Sequence, residues 1–193
     1  MPFNAKGHKL LILITTARAN HLARWMIRQT ALIDPHAKKM IELVFLLGAA
    51  QPGEALDVQR NIDDELRRGM TDLSIGTFED RYENLSLKTL MGYEVAREKI
   101  NRDQTIGHVL FHDDDCSIDY GRLKLHTQRR DYGDVGCLRE MFTGGRAKRG
   151  GGNKNAVSFD LWPPGYQYPT FCAGPCKMMT AHSVQAIASI MNR

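Results

Sequence analysis

Three aspartates in a row, Asp113, Asp114 and Asp115, follow the apolar run "IGHVLF" and His112. Adjacent like charges repel and aspartate is a poor strand former, so packing alone does not select such a triplet. Carboxylates are hard oxygen donors and suit Mn²⁺ or Mg²⁺ better than softer metals. If the backbone stays extended, Asp113 and Asp115 project to one side and Asp114 to the other. Two carboxylates can then share one cation or its waters, and that cation can bridge to a diphosphate whose developing charge it stabilises. The competing reading is a solvated acidic turn that caps a following helix from Asp115 or Ser117. His112, expected to point opposite to Asp113, fits a core or hydrogen-bonding role better than ligation.

Other residues with chemical potential are more scattered. Arg18, Arg24 and Arg28 lie in "TTARANHLARWMIRQT". A guanidinium suits phosphate or nucleotide contact through its planar fork, and the alternative is a set of solvent-facing charges on an amphipathic helix. "WPPGYQYPTFCAGP" offers aromatic faces that stack on sugars or bases, although such loops more often pack against their own domain. Asn84-Leu85-Ser86 is a glycosylation sequon, whose helical setting favours a structural role. Cys116, Cys137, Cys172 and Cys176 lack paired CxxC spacing, so disulfides and buried free thiols both remain open.

The elements that must position these residues follow from hydrophobic periodicity. Lys9 to Thr16 reads as a strand, and the next helix places Leu22, Met26 and Ile33 near one face. Met40 to Gly48 is a continuous apolar run, as in a strand covered on both faces, with Gly48 ending it. From Glu54 to Arg68 a helix carries Ala55, Val58, Ile62 and Leu66 inward, with Asp57, Arg60, Asp63, Asp64 and Arg67 left for solvent. "TDLSIGTF" is a short strand, "EDRYENLSLKTLMGYEVAREK" a helix with the stripe Leu87, Leu90, Met91 and Val95, and "IGHVLF" a further strand. Strands alternating with helices predict an α/β fold with a mostly parallel sheet flanked by helices, in which ligands sit beyond the carboxyl ends of the strands. The aspartate triplet occupies such an end.

Beyond it, "SIDYGRLKLHTQ" reads as a helix with Ile118, Leu123 and Leu125 apolar. The glycine-rich, basic segment 144–155 reads as a mobile loop. The last segment, "TAHSVQAIASIMNR", reads as a helix capped by Thr180.

The 193 residues suit one domain, with 42% hydrophobic and 25% charged residues. The net charge of +4 lacks the concentrated basic face of a nucleic-acid binder. No apolar run approaches the roughly 20 residues of a membrane helix, and the N-terminal run lacks a signal-cleavage pattern.

Several blocks taken in order resemble one family. "FLLG" from Phe45, Glu65, "DLSIGTFEDRYENLSLKT" from Asp72, "HDDD" and "YPTFCAGP" from Tyr168 are similar to signature blocks of the β-1,3-galactosyltransferases, hexosyltransferases related to the fringe enzymes. Ser86 stands where that family usually has threonine. The resemblance covers nearly the whole chain and implies a GT-A fold, a Rossmann-like sheet in which the triplet holds Mn²⁺ (or Mg²⁺) and a UDP-sugar donor. By position, Asp115 and Asp113 are the expected metal residues, Asp113, Asp114 and Arg24 the donor-binding ones, and a glycan or glycoconjugate the acceptor. The implied setting is the Golgi lumen, through a membrane anchor that this chain lacks. The family's acidic E-D-V motif, expected to supply the base in an inverting transfer, and its late metal-binding histidine would fall beyond Arg193. The chain therefore reads as a partial catalytic domain, incomplete at the C-terminus, with no catalytic base assigned. Glu140 and Asp160 are nearby acids outside any matching motif. Two competitors stand beside the transferase, a non-catalytic UDP-sugar-binding or interaction domain and a metal-dependent phosphohydrolase built on the triplet.

Overall fold

The computed structural model describes residues 9–31, 33, 39–119, 123, 135–137, 140–142, 145–149, 156–169, 171–173 and 175–191. The elements run β1 (Lys9–Thr15), α1 (His21–Ala31), β2 (Ile41–Ala49), α2 (Leu56–Arg67), β3 (Leu73–Glu79), a 3₁₀ turn (Tyr82–Asn84), α3 (Leu85–Arg102) and β4 (Ile106–Asp113). Short strands β5 (Val135–Cys137), β6 (Glu140–Phe142), β7 (Phe171–Ala173) and β8 (Lys177–Thr180) lead to α4 (Ala181–Met191).

Six strands form one sheet in the order β3-β2-β1-β4-β8-β5, while β6 and β7 pair separately. β3, β2, β1 and β4 are parallel, and β8 joins β4 antiparallel with Phe111 opposite Lys177. This mixed, mostly parallel sheet with helices is the expected α/β architecture, of GT-A-like form. The antiparallel join was not legible because β8 is only four residues long.

Among β1 to β4 the order contains one reversal. From β1 the chain moves outward through β2 to β3, then returns through α3 to place β4 on the other side of β1. Connections that diverge from two adjacent parallel strands leave a crevice at their carboxyl ends. Here those ends are Thr15 and Asp113, which are paired in register.

β1 is buried from Leu10 to Ile14, and its alternate residues feed two cores. Leu10, Ile12 and Ile14 join Ile27 of α1 and Ile62 of α2 on one face. Leu11 and Leu13 join Tyr93, Ala96 and Ile100 of α3, and Val184 and Ala188 of α4, on the other. A continuous apolar run is therefore required, since a polar residue at any of these positions would be buried.

The helices correct several expected faces. Leu22, Met26 and Ile33 are exposed at 65%, 58% and 76%, and α1 instead buries Arg24, Ile27, Arg28 and Ala31. On α2, Leu66 is exposed and its neighbour Glu65 is buried. On α3, Leu87 and Leu90 are exposed, Met91 and Val95 pack at the core margin, and the buried face is Lys88, Gly92, Tyr93, Ala96 and Ile100. The common cause is that charged residues with buried partners occupy core-facing positions.

Gly48 lies inside β2 and does not end it. A Cβ there would come within 2.7 Å of the Asp80 backbone, so only glycine lets β2 approach the segment after β3 this closely. At α4, Thr180 Oγ1 accepts from the Ser183 amide at 3.2 Å, which is the expected cap. Of the segment 144–155, residues 145–149 are described and the rest lies outside the described residues, as does most of "SIDYGRLKLHTQ". Arg149 donates to the Val157 and Ser158 carbonyls at 2.6 and 2.7 Å and lies over the Phe159 ring.

Candidate donor site at the ends of β1 and β4

The carboxyl end of β4 turns at the aspartates. The Asp114 amide donates to Thr15 O at 3.1 Å, and the Cys116 amide donates back to Asp113 O at 3.2 Å. Asp114 then points into the loop after β1. Its Oδ2 accepts from Thr16 Oγ1 at 2.5 Å and from Asn20 Nδ2 at 2.8 Å. Asp113 and Asp115 stay exposed, and among the described residues the Cys116 thiol lies 3.8 Å from Asp115 Oδ1. One aspartate thus ties the two strand ends together while its neighbours remain open on the crevice.

The local charge balance is strained. Although the residue as a whole is exposed, partial burial of its carboxyl, then repulsion from Asp115 and Asp114, pushes the Asp113 pKa up against the pull of Lys177 and Lys88. A cation held here would relieve that repulsion. Two carboxylates fit Mg²⁺ or Mn²⁺ if phosphate oxygens and water complete the shell, as is usual for such ions on nucleotides. Among the described residues no three His, Cys, Asp or Glu side chains converge as a protein-only metal cage.

His112 is 1% exposed and sits behind the triplet. Its Nδ1 lies 2.8 Å from Asp113 O, which can only accept, so Nδ1 carries the proton. Nε2 is then an acceptor with no partner among the described residues. Burial pushes its pKa down, outweighing the nearby carbonyl and the Asp114 and Asp115 charges.

Arg24 lies at 0% exposure beneath the β1 loop. It donates to Glu65 through Nε at 3.0 and 3.2 Å and through Nη2 at 2.6 Å, and to the Ala17 and Arg18 carbonyls at 2.8 and 3.1 Å. Its guanidinium thus faces inward, holding the backbone of the loop whose Thr16 and Asn20 hold Asp114. Arg28 completes the network, reaching Glu65 at 2.7 Å and Asp72 at 2.7 and 2.8 Å. Burial would raise Glu65, but the two guanidiniums overcome it and hold the carboxyl below its ordinary value. Arg18 pairs with Glu54 at 2.9 Å and also bonds Gln59 and the Gly48 carbonyl. All three arginines of this segment are therefore spent within the protein.

Sequence reasoning passed over four contributors. The sequence pattern assigns Thr16 and Asn20 no chemical role. Lys88, 2% exposed, donates to Thr16 O at 2.9 Å and to Asp80 Oδ1 at 2.6 Å, and Asp80 Oδ2 accepts from the Gly48 amide at 3.2 Å. The available signal was a lysine sharing a helical face with Gly92 and Ala96 at four-residue spacing. Lys177, at the start of β8, lies near Asp113. Cys116 and Cys176 are free thiols in contact with each other, and Cys172 is disulfide-bonded.

Among the described residues no helix is long and apolar enough to cross a membrane. No individual curated protein matches the chain. The family model described as Galactosyltransferase matches residues 18–193, a span that includes the buried arginine network, the acidic turn and the β8 edge. The chain belongs to the galactosyltransferase family and is a glycosyltransferase.

Proposed function

We propose that the chain forms the donor-binding part of an inverting, metal-dependent hexosyltransferase that moves galactose or N-acetylglucosamine from a UDP-sugar to a glycan hydroxyl, in the Golgi lumen as is usual for the family. The observation that carries this reading is the division of the triplet. Asp114 is consumed by Thr16 and Asn20, while Asp113 and Asp115 stand exposed at the crevice between β1 and β4.

In this reading Asp113 and Asp115 supply two oxygen ligands to Mn²⁺ or Mg²⁺ and so gather the donor diphosphate at the strand ends. A cation held by Asp113 and Asp115 would supply positive charge to offset that of the departing diphosphate. Asp114 acts through the backbone, keeping the turn at a fixed distance from the β1 loop. Arg24, facing inward, is a positioning residue for that loop. The acceptor oxygen bonds to the sugar anomeric carbon on the face opposite the diphosphate, the bond from that carbon to the diphosphate oxygen breaks, and the hydroxyl proton passes to a base. Such a reaction gains most from preorganised charge, which the tied-down loop provides.

Calorimetry with UDP and Mn²⁺ tests the site, and turnover of UDP-galactose or UDP-N-acetylglucosamine with an added glycan acceptor tests the reaction. Manganese-assisted UDP binding that Asp115→Asn weakens tenfold or more supports the reading. Equal binding by Asp115→Asn overturns the site, and tight binding without transfer assigns a sugar-nucleotide-binding role instead. Phosphate release from substrates lacking uridine would point to a phosphohydrolase.

A further inference from the structure

We infer that Lys177 is a diphosphate-contacting cation, a second source of positive charge at the leaving group beside the metal. This inference rests on the donor-site reading above.

The placement comes from the sheet. β8 is antiparallel to β4, so its first residue, Lys177, lies at the end where β4 finishes. Its partner in register is Phe111, two residues before Asp113 and on the same face of β4. The Lys177 ammonium sits 5.1 Å from the Phe111 ring centroid and 5.4 Å from that of Tyr93, and those two rings are themselves 4.9 Å apart. Two aromatic faces thus hold the side chain at the crevice end of this face and keep it from folding away into solvent.

The chemistry comes from what this ammonium lacks. Two lysines face Asp113. Lys88 is spent, with Thr16 O at 2.9 Å and Asp80 at 2.6 Å. Among the described residues the contacts of Lys177 are the Phe111 and Tyr93 rings, with no hydrogen bond and no carboxylate within 4.0 Å; burial pulls its pKa down and the nearby Asp113 charge opposes that. A half-buried ammonium has three donors to satisfy, and leaving them unmet is costly. Aromatic faces offer charge stabilisation but no lone pair. An anion with several oxygens, arriving at Asp113 and Asp115 with its cation, supplies the missing acceptors. A nucleoside diphosphate has that form, and a neutral nucleoside or sugar does not.

The test is calorimetry of the whole chain with UDP and with uridine, each with Mn²⁺ and with chelator. Lys177→Met keeps the stem between the rings and removes the charge, and Lys177→Gln is measured beside it so that a packing defect in one variant does not decide the result. The expected outcome is a loss of UDP affinity of about tenfold or more in both variants, the usual scale for a hydrogen bond to a charged group. Uridine affinity should stay within twofold, and Lys177→Arg should retain UDP binding within a few-fold. The wild-type chain in chelator should bind UDP more tightly than Lys177→Met does. If wild type binds UDP with Mn²⁺ while Lys177→Met and Lys177→Gln bind it equally well, the inference fails and the donor site stands. If wild type binds no UDP at all, the donor-site reading fails, and the inference with it.

Discussion

Replacing Glu65 by Gln tests whether the buried arginine network holds the fold together. Glu65 is 8% exposed and accepts four hydrogen bonds, three from Arg24 at 2.6, 3.0 and 3.2 Å and one from Arg28 at 2.7 Å. The substitution keeps the side-chain shape and removes the charge, so two guanidiniums with side-chain exposures of 0% and 9% lose their shared counter-ion. Arg28 retains the Asp72 carboxylate, but Arg24 is left with neutral acceptors alone, the Ala17 and Arg18 carbonyls and the glutamine amide oxygen. Breaking a buried pair from one side costs about 3–5 kcal/mol, a large part of the roughly 5–15 kcal/mol that stabilises a typical domain. For a chain of this length each kcal/mol moves the melting temperature by about 2–4 °C, so a drop of roughly 6–20 °C is expected. The control is Arg67→Ala, which breaks a pair with Asp64 whose side chains are 73% and 50% exposed and should cost under about 1 kcal/mol. Urea denaturation at neutral pH measures both. A Glu65→Gln loss no larger than that of the control refutes the reasoning. The pH dependence has a definite sign as well. Glu65 is held below its ordinary value when folded, so its contribution is present above that ordinary value and is lost as pH falls through the folded one.

Gly48→Ala places a Cβ 2.7 Å from the Asp80 Cα and amide nitrogen, neither of which is a flexible side-chain end. A loss of about 1–3 kcal/mol in urea denaturation is expected, and a neutral result would mean that β2 and the Asp80 segment are not this close. The Cys176 thiol is pushed up to about 12 by burial, by its contact with Cys116 and by the Asp113 and Asp115 charges. Its alkylation by iodoacetamide, followed by mass spectrometry, should therefore be far slower at pH 8 than that of a free thiol, and should climb with pH toward 12. A rate at pH 8 within threefold of a small thiol would overturn that placement.

The sheet was the most readable part of the chain. β1, β2 and β4 are continuous apolar runs because each is covered on both faces, and their ends fall within two residues of the expected positions. The location of the acidic turn at a strand end followed from the same pattern. Helix faces were less readable because hydrophobic periodicity assumes that charge seeks water. On α1 the exposed Leu22, Trp25 and Met26 are the more apolar residues, yet the face against the sheet is Arg24, Ile27 and Arg28. Partners far along the sequence reverse the sign, since Arg24 waits on Glu65 and Arg28 on Asp72. No local window contains both members of such a pair. The "FLLG" and "FEDRYENLSLKT" blocks were legible only as a resemblance. Their physical content is the close approach at Gly48 and the bonds of Asp80 and Lys88 to the strand ends.

These buried charges explain why a small crevice can present open carboxylates at all. Clustered acids at a strand end repel, and a flexible loop would let them move apart. Here the β1 loop is fixed from below by buried charges, and the acidic turn is tied to that loop. The Thr16 carbonyl is held by Lys88, the Ala17 and Arg18 carbonyls by Arg24, and the Asp114 side chain by Thr16 and Asn20. Buried ion pairs are weak evidence of net stability, because desolvation offsets much of their attraction. Their geometry is nonetheless directional, and a carbonyl bonded to a guanidinium has little freedom to rotate. It follows that the network's effect on donor binding should exceed what its effect on stability alone would give. Under conditions where Glu65→Gln remains folded, as circular dichroism would show, its UDP affinity should still fall, because the Ala17 and Arg18 carbonyls lose a firmly seated partner. Unchanged affinity in the folded variant would confine the network to a structural role.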